Sequence, residues 1–311
     1  MAKKVVITGA SGVLGMALTL EAQTRGYDVV ALYRSTPIAI PGVSCVAVDL
    51  KDKKQTLQVL EELRPDHIIH AAAEVRVDWC EEHPTEAVRS NVDTSATLAD
   101  FAPRVGGHLL YVSTDSVFDG EGSNYKESDN VAPVNVYATT KLRGEIEVLR
   151  RHPAAIVTRT NFYGWTGCHK LGLVDWILQQ LAQGRELPGF TDAIFSPLLV
   201  NDLAIALLDL AAHDVSGIFH VVGPEMISKY EFAVRVARLF GYDPELVRPS
   251  RTADVPMKAL RPLNTTLDTS KLSSLLGHAL PDVASGLRRF AELRANGYQV
   301  MLNSYYLTRG L

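Results

Sequence analysis

The octapeptide Thr8-Gly9-Ala10-Ser11-Gly12-Val13-Leu14-Gly15 lies between a β-branched run, Lys4 to Thr8, and a helical pattern, Val13 to Arg25, that stops at Gly26. Glycine permits a tight turn and lets two backbones approach closely, so this segment dictates a strand–turn–helix unit at the start of the chain. The alternation continues downstream. Val29 to Tyr33, Val43 to Ala47, His67 to His70, His108 to Val112, Ala155 to Arg159 and Ile218 to Val222 have the length and composition of buried strands. Helical patterns separate several of them, Pro84 to Ala102 and Val136 to Arg151 among others. In the second, Ala138, Leu142, Ile146 and Leu149 recur at helical spacing. Strands alternating with helices predict an α/β fold, a doubly wound parallel sheet covered on both faces.

Beyond about Gly164 the regularity falls, although Leu173 to Gln183, Asn201 to Ala212 and Ser228 to Phe240 still have helical period. The expected division is a sheet domain of residues 1–165 plus about 193–222, with a smaller discontinuous C-terminal lobe of about 166–192 plus 223–311. At 311 residues, 47% hydrophobic and 21% charged, the chain is neither disordered, collagenous nor coiled coil. Its formal charge of -4 offers no basic excess for nucleic acid. No stretch reaches the ~18 apolar residues of a membrane span, and the run after Lys3-Lys4 is too short for a signal peptide. Cys45, Cys80 and Cys168 match no zinc spacing and are expected to be small buried hydrophobes. The nine histidines also lack ligand spacing, so no metal is expected. A cytoplasmic location follows as the expectation.

A glycine-rich turn opening a helix is a site for a dinucleotide pyrophosphate, which backbone N–H groups of Ser11, Gly12, Val13, Leu14 and Gly15 would meet. The end of the second strand bears on the choice of cofactor. An acid there binds the adenosine ribose and repels a 2′-phosphate, whereas this chain has Tyr33-Arg34-Ser35. Arg34 suits a phosphate, which favours NADP(H) over NAD(H). Asp49-Leu50, after the third strand, is placed either against the adenine edge or in an ordinary turn.

Tyr137 and Lys141 lie four residues apart on one helical face, and Ser113-Thr114 ends a strand. A phenol moves protons near neutrality only if its pKa falls well below ~10, as a nearby ammonium favours. Thr114 at a strand's C-terminal edge points into the crevice where open α/β sheets bind ligands.

With Gly9, Gly12 and Gly15, these residues resemble the extended short-chain dehydrogenase/reductases, a Rossmann-type family. His70-Ala71-Ala72-Ala73 and Asn91-Val92 are similar to that family's motifs too. Longer strings resemble the dTDP-4-dehydrorhamnose reductases: Val112 to Gly120, Tyr125-Lys126-Glu127, Pro133 to Tyr137, Lys141 to Glu145 and Arg261 to Leu272. The resemblance implies NADPH-dependent reduction of a nucleotide-diphospho-4-keto-6-deoxy sugar. Thr114, Tyr137 and Lys141 would be catalytic, and Ala71, Ala72, Ala73 and Asn91 would lie along the cofactor. Asn91 is placed in a proton relay or as a tie between helix and strand. Asp115, Ser116, Asn161, Arg261 and Asn264 are the candidates for substrate, with a structural ion pair as the alternative for Arg261. Trp165 and Phe195 are placed against a base or in the core.

Two departures fall near the expected pocket. The reductases usually carry a tyrosine at Ser116, and their arginine-led motif with a tryptophan is replaced by Arg159-Thr160-Asn161-Phe162-Tyr163-Gly164. Ser116 also stands where a 4,6-dehydratase has its glutamate, and Arg34 follows the strand where an epimerase commonly has an acid. A third alternative is a regulatory subunit resembling the methionine adenosyltransferase β subunit, which keeps the fold and binds a partner. The partners expected are a small nucleotide sugar, with no nucleic acid and no membrane, and a homodimer is left open.

Overall fold

The computed structural model describes residues 2–167 and 172–307. Cys168 therefore lies outside the described residues, as does His169. The principal sheet contains β1 (Lys4–Thr8), β2 (Asp28–Tyr33), β3 (Ser44–Ala47), β4 (His67–His70), β5 (His108–Thr114) and β6 (Ile156–Thr160). After the short strands β7 (Phe162–Tyr163), β8 (Leu187–Phe190), β9 (Ile194–Phe195) and β10 (Leu198–Leu199), β11 (Gly217–Val221) completes it. The order is β11-β6-β5-β4-β1-β2-β3 with every pairing parallel. The winding reverses between β1 and β4, so the carboxyl ends of those two strands open a crevice there.

Side-chain alternation explains why the sheet is covered on both sides. On β1, Val5 and Ile7 face the core that contains Leu14 and Leu18 of α1 (Val13–Thr24), while Val6 faces Leu98 and Phe101 on the other side. A parallel sheet with apolar residues on both faces needs a helical layer on each. The helix α2 (Lys53–Leu63), absent from the sequence reading, is capped by Asp52, whose carboxylate accepts the Gln55 amide at 3.0 Å. The expected helix Pro84 to Ala102 follows α3 (Val77–Glu82) and is broken into α4 (Pro84–Val88), a π-helical turn Arg89–Asp93 and α5 (Thr94–Phe101). Next come α6 (Val136–Arg151), α7 (Leu173–Ala182) and α8 (Val200–Ala212). Arg25 at the end of α1 pairs with Asp209 on α8 at 2.7 Å.

A further core joins α7, α9 (Lys229–Leu239), α11 (Val283–Ala295) and α12 (Tyr298–Ser304). The strands β12 (Ile227–Ser228) and β13 (Val247–Ser250) pair with β9 and β8, and α10 (Ser270–Leu276) precedes α11. Trp165 stacks on Phe290 at 3.9 Å and donates its indole N–H to the Phe290 carbonyl at 2.9 Å. Phe195 packs edge-on against Phe232. Both residues are buried, so the core alternative holds for each. No helix among the described residues is long and apolar enough to cross a membrane, and none of their His, Cys, Asp and Glu side chains form a metal-holding group. Cys45 and Cys80 are free, Cys80 buried and Cys45 only partly so.

Candidate active site

The crevice at the switch point is built from backbone first. Gly9 has a left-handed φ of +69°, and a Cβ there would stand 2.8 Å from the Ala72 Cα. A Cβ on Gly15 would stand 2.2 Å from the Gly9 carbonyl oxygen. The loop, the first turn of α1 and the segment after β4 thus touch backbone to backbone, which only glycine allows. Gly12 is the N-cap of α1 and supplies no side-chain cap, leaving the first-turn N–H groups of Val13, Leu14 and Gly15 facing the crevice. This is the donor set that a pyrophosphate requires.

At the outer end of the crevice Arg34 is exposed and has no hydrogen bond or ion pair among the described residues. Its charge reaches Glu74, whose carboxylate is held below the ordinary range mainly by Arg76. Asp49 is brought beside it by the β2–β3 pairing, but its carboxylate accepts the Lys51 amide at 3.1 Å, the geometry of a turn. Leu50 packs into the adjacent core. A dinucleotide pyrophosphate fits this set through the free donors of α1, with an exposed guanidinium at the end of β2.

The inner end holds the reactive side chains. β5 carries Thr114 at its C-terminal edge, and α6 delivers Tyr137 and Lys141 one turn apart, starting from Asn135, whose side chain accepts the Ala138 amide at 2.8 Å. Burial pushes the Tyr137 phenol up to about 12 against the opposing Thr114 hydroxyl. Lys141 is pulled down to about 7 by burial, opposed by Glu145. Its ammonium donates to the Val112 carbonyl at 2.7 Å and lies 4.2 Å over the Tyr111 ring. The expected lowering of the phenol by Lys141 is therefore absent here, because burial dominates and the ammonium is turned to the strand.

Beneath them lies a buried ion pair that the sequence reading did not single out. Arg159 on β6 donates to Glu145 at 2.8 Å, both side chains under 4% exposed, and Ser113 donates to the same carboxylate at 2.5 Å. Asn91, in the π-helical turn, accepts the Glu74 amide at 2.8 Å and donates to the Glu74 carbonyl and the Thr140 hydroxyl. Its side chain is fully engaged in tying helix to loop. A second chain runs from the Ala72 amide to Thr8, from Thr8 to His70 Nδ1, from His70 Nε2 to Ser95, and on to the Asn91 carbonyl. Ala71 and Ala73 flank Ala72 in this segment and are partly buried.

The profile of the RmlD substrate binding domain family matches residues 3–295. The chain belongs to that family. Its relatives diverge in role. It is 32% identical over 287 residues to the probable low-salt glycan biosynthesis reductase Agl14 of Haloferax volcanii, covering 90% of this chain and 95% of that protein. It is equally 32% identical over 300 residues to methionine adenosyltransferase 2 subunit beta of Pongo abelii, covering 90% and 84%. Among solved structures it is similar to dTDP-4-dehydrorhamnose reductase of Bacillus anthracis in complex with NADP, with a TM-score of 0.83 and 29% identity over 94% of this chain and 99% of that one.

In this RmlD-family chain the pocket beyond Thr114 is organised around Asp115. Asn161 donates to its carboxylate at 2.6 Å, Thr114 at 3.1 Å and Ser116 at 3.2 Å, and Thr265 adds a further hydrogen bond. Burial pushes Asp115 up, opposed by those four donors. Arg261 pairs with Asp78 at 2.9 Å, which is the ion-pair alternative, while remaining half-buried at the mouth. The Asn264 side-chain Oδ1 accepts from the Thr266 amide and hydroxyl, and its backbone bridges to Ile194. Lys229, the first residue of α9, was missed by the sequence reading. Its amide is fixed to the Ala193 carbonyl at 2.9 Å, and its ammonium has no hydrogen bond or ion pair among the described residues. Burial pulls Lys229 down, while the charge of Asp115 pushes it up and that of Arg261 down. The antiparallel pairing of β12 with β9, just before α9, brings this cation near Asp115, so no spacing in the sequence signals it.

Proposed function

We propose that this chain is an NADPH-dependent reductase of a nucleotide-diphospho-4-keto-6-deoxy sugar. The reading rests on the parallel sheet presenting, at the carboxyl ends of its strands, an uncapped helix N-terminus after β1, the exposed Arg34 after β2 and Thr114 at the end of β5, with Tyr137 and Lys141 on α6, where the Lys141 ammonium reaches the Val112 carbonyl of β5. Bound NADPH would supply a hydride to the carbonyl carbon. Tyr137 then gives its phenolic proton to the alkoxide oxygen, so the C=O becomes CH–OH, and the phenolate is reprotonated from solvent. Its high pKa in the resting site keeps the proton in place until then. Thr114 would orient the carbonyl, and Lys141, which donates to the Val112 carbonyl in this structure, would hold the nicotinamide ribose, where its charge would favour the phenolate. Residues 1–165 with 193–222 hold the cofactor in this reading. The unpaired Lys229 and the half-buried Arg261 at the mouth receive the anionic part of the substrate, with Ser116, Asn161 and Asn264 lining the sugar.

The test is loss of NADPH absorbance with dTDP-4-keto-6-deoxyhexose. Tyr137→Phe is expected to abolish turnover while still binding NADPH. Absence of turnover across a panel of nucleotide sugars would overturn the proposal. The similarity to methionine adenosyltransferase 2 subunit beta supports a second reading, a binding subunit without turnover. Co-purification with a large partner, together with no reductase activity, would favour it.

A further inference from the structure

The C-terminal segment makes contacts that neither the catalytic set nor the substrate pocket requires. After α12, residues Tyr305 to Leu307 run antiparallel to Pro37 to Ala39. Ala39 N–H donates to the Tyr305 carbonyl at 2.8 Å, Leu307 N–H donates to the Pro37 carbonyl at 3.0 Å, and Ile38 sits opposite Tyr306. Tyr306 then reaches the other side of the crevice. Its phenol donates to the Ser11 carbonyl at 3.2 Å, and its ring occupies the space where a Cβ on Gly167 would stand, 2.2 Å from Cε2. Ile38 and Tyr306 are buried in the same core as Ala10 of the glycine loop.

Pro37 follows Arg34 by three positions, and Ser11 lies between Gly9 and Gly12. One short strand therefore holds both banks of the crevice at its outer end. Without it, the segment after β2 would keep its own turn, the Gln23 side chain bonded to the Pro41 carbonyl and the buried Ile40, all of them beyond Pro37 from Arg34 or local to the turn. A ligand binding there would bear the cost of selecting the competent conformation, which lowers affinity by the fraction populated.

We propose that Tyr305–Leu307 is a positioning element of the dinucleotide site, with Tyr306 joining the glycine loop to the segment that carries Arg34. This rests on the dinucleotide reading above, and adds that the tail tunes preference for the 2′-phosphate. Arg34 depends on the braced segment and meets only the phosphorylated cofactor, so loosening the brace weakens NADPH more than NADH.

The experiment is direct titration of the full chain with NADPH and with NADH, followed by cofactor fluorescence, with no substrate present. Tyr306→Ala and a chain ending at Ser304 are expected to weaken NADPH by about tenfold and NADH by about threefold. Tyr306→Phe keeps the ring and removes the hydroxyl that donates to the Ser11 carbonyl. It should fold as the parent does and weaken NADPH by about threefold. NADPH affinity within about twofold of the parent in all three variants, or an equal loss for both cofactors, would overturn the proposal. If the unaltered chain binds neither cofactor, the dinucleotide reading fails and this one fails with it. If it binds both and the variants match it, only this inference fails.

Discussion

Gly15→Ala tests whether backbone contact, rather than backbone conformation, makes the glycine loop. A Cβ at this position would stand 2.2 Å from the Gly9 carbonyl oxygen, 2.6 Å from its carbon and 2.7 Å from the Ala10 Cα. An ordinary carbon–oxygen contact is about 3.3 Å, so the first turn of α1 must retreat by about 1 Å. None of the three atoms belongs to a side chain that can rotate away. Overpacking of this kind costs about 1–3 kcal/mol. It also draws the N–H groups of Val13, Leu14 and Gly15 out of hydrogen-bond range of a pyrophosphate. Gly26→Ala is the matched control. Gly26 has φ +79° with nothing within 4 Å, so its substitution costs only the left-handed backbone, about 1–2 kcal/mol, far from the crevice. Urea unfolding and NADPH titration measure the two variants side by side. Both should lose stability, but only Gly15→Ala should lose NADPH affinity, by about tenfold for each 1.4 kcal/mol of binding forfeited. Parent-like NADPH affinity in Gly15→Ala would refute the contact argument, whatever its stability.

The ion pair under the site and the buried histidines give two further outcomes. Glu145→Leu leaves the buried Arg159 guanidinium without its carboxylate and should cost about 3–5 kcal/mol in urea unfolding. Adding Arg159→Met should restore a large part of that loss, and a double variant no better than the single would sink the argument. Burial holds His67 and His220 down to about 4 and His70 to about 3, below their ordinary 6.5. The unfolded chain then takes up protons first, so stability should be full above pH 6.5 and fall as pH drops from there toward 4. Unfolding free energies at pH 7 and pH 5 check this. His220→Asn should flatten part of the difference, and a parent chain equally stable at both values would contradict the assignment.

The strand and helix positions were legible because period and punctuation are local properties. β1 and β4 match their expected bounds, and β2, β3, β5, β6 and β11 differ by one or two residues at one or both ends. The π-helical turn was not legible, since Arg89–Asp93 has ordinary helical composition and only packing between Glu74 and Thr140 shows what its geometry achieves. The chemistry-bearing side chains could be named from residue type and order, but their states could not. Tyr137 was expected to have a lowered pKa and has a raised one, because burial acts on it and Lys141 points at a carbonyl.

The sequence alone determined the winding of the sheet and the backbone character of the glycine loop, since both follow from short-range spacing and from the absence of a Cβ. It also determined which residues carry a phenol, an ammonium and a hydroxyl. Tertiary structure decided what each one faces. Arg34 stays unpaired while Arg261 is paired, Asn91 ties helix to loop, Lys229 arrives at the pocket from a distant helix, and Tyr306 crosses to Ser11 over nearly the whole length of the chain. Charge pairing and burial depend on distances between segments far apart in sequence, and those distances exist only once the sheet and its flanking cores have formed.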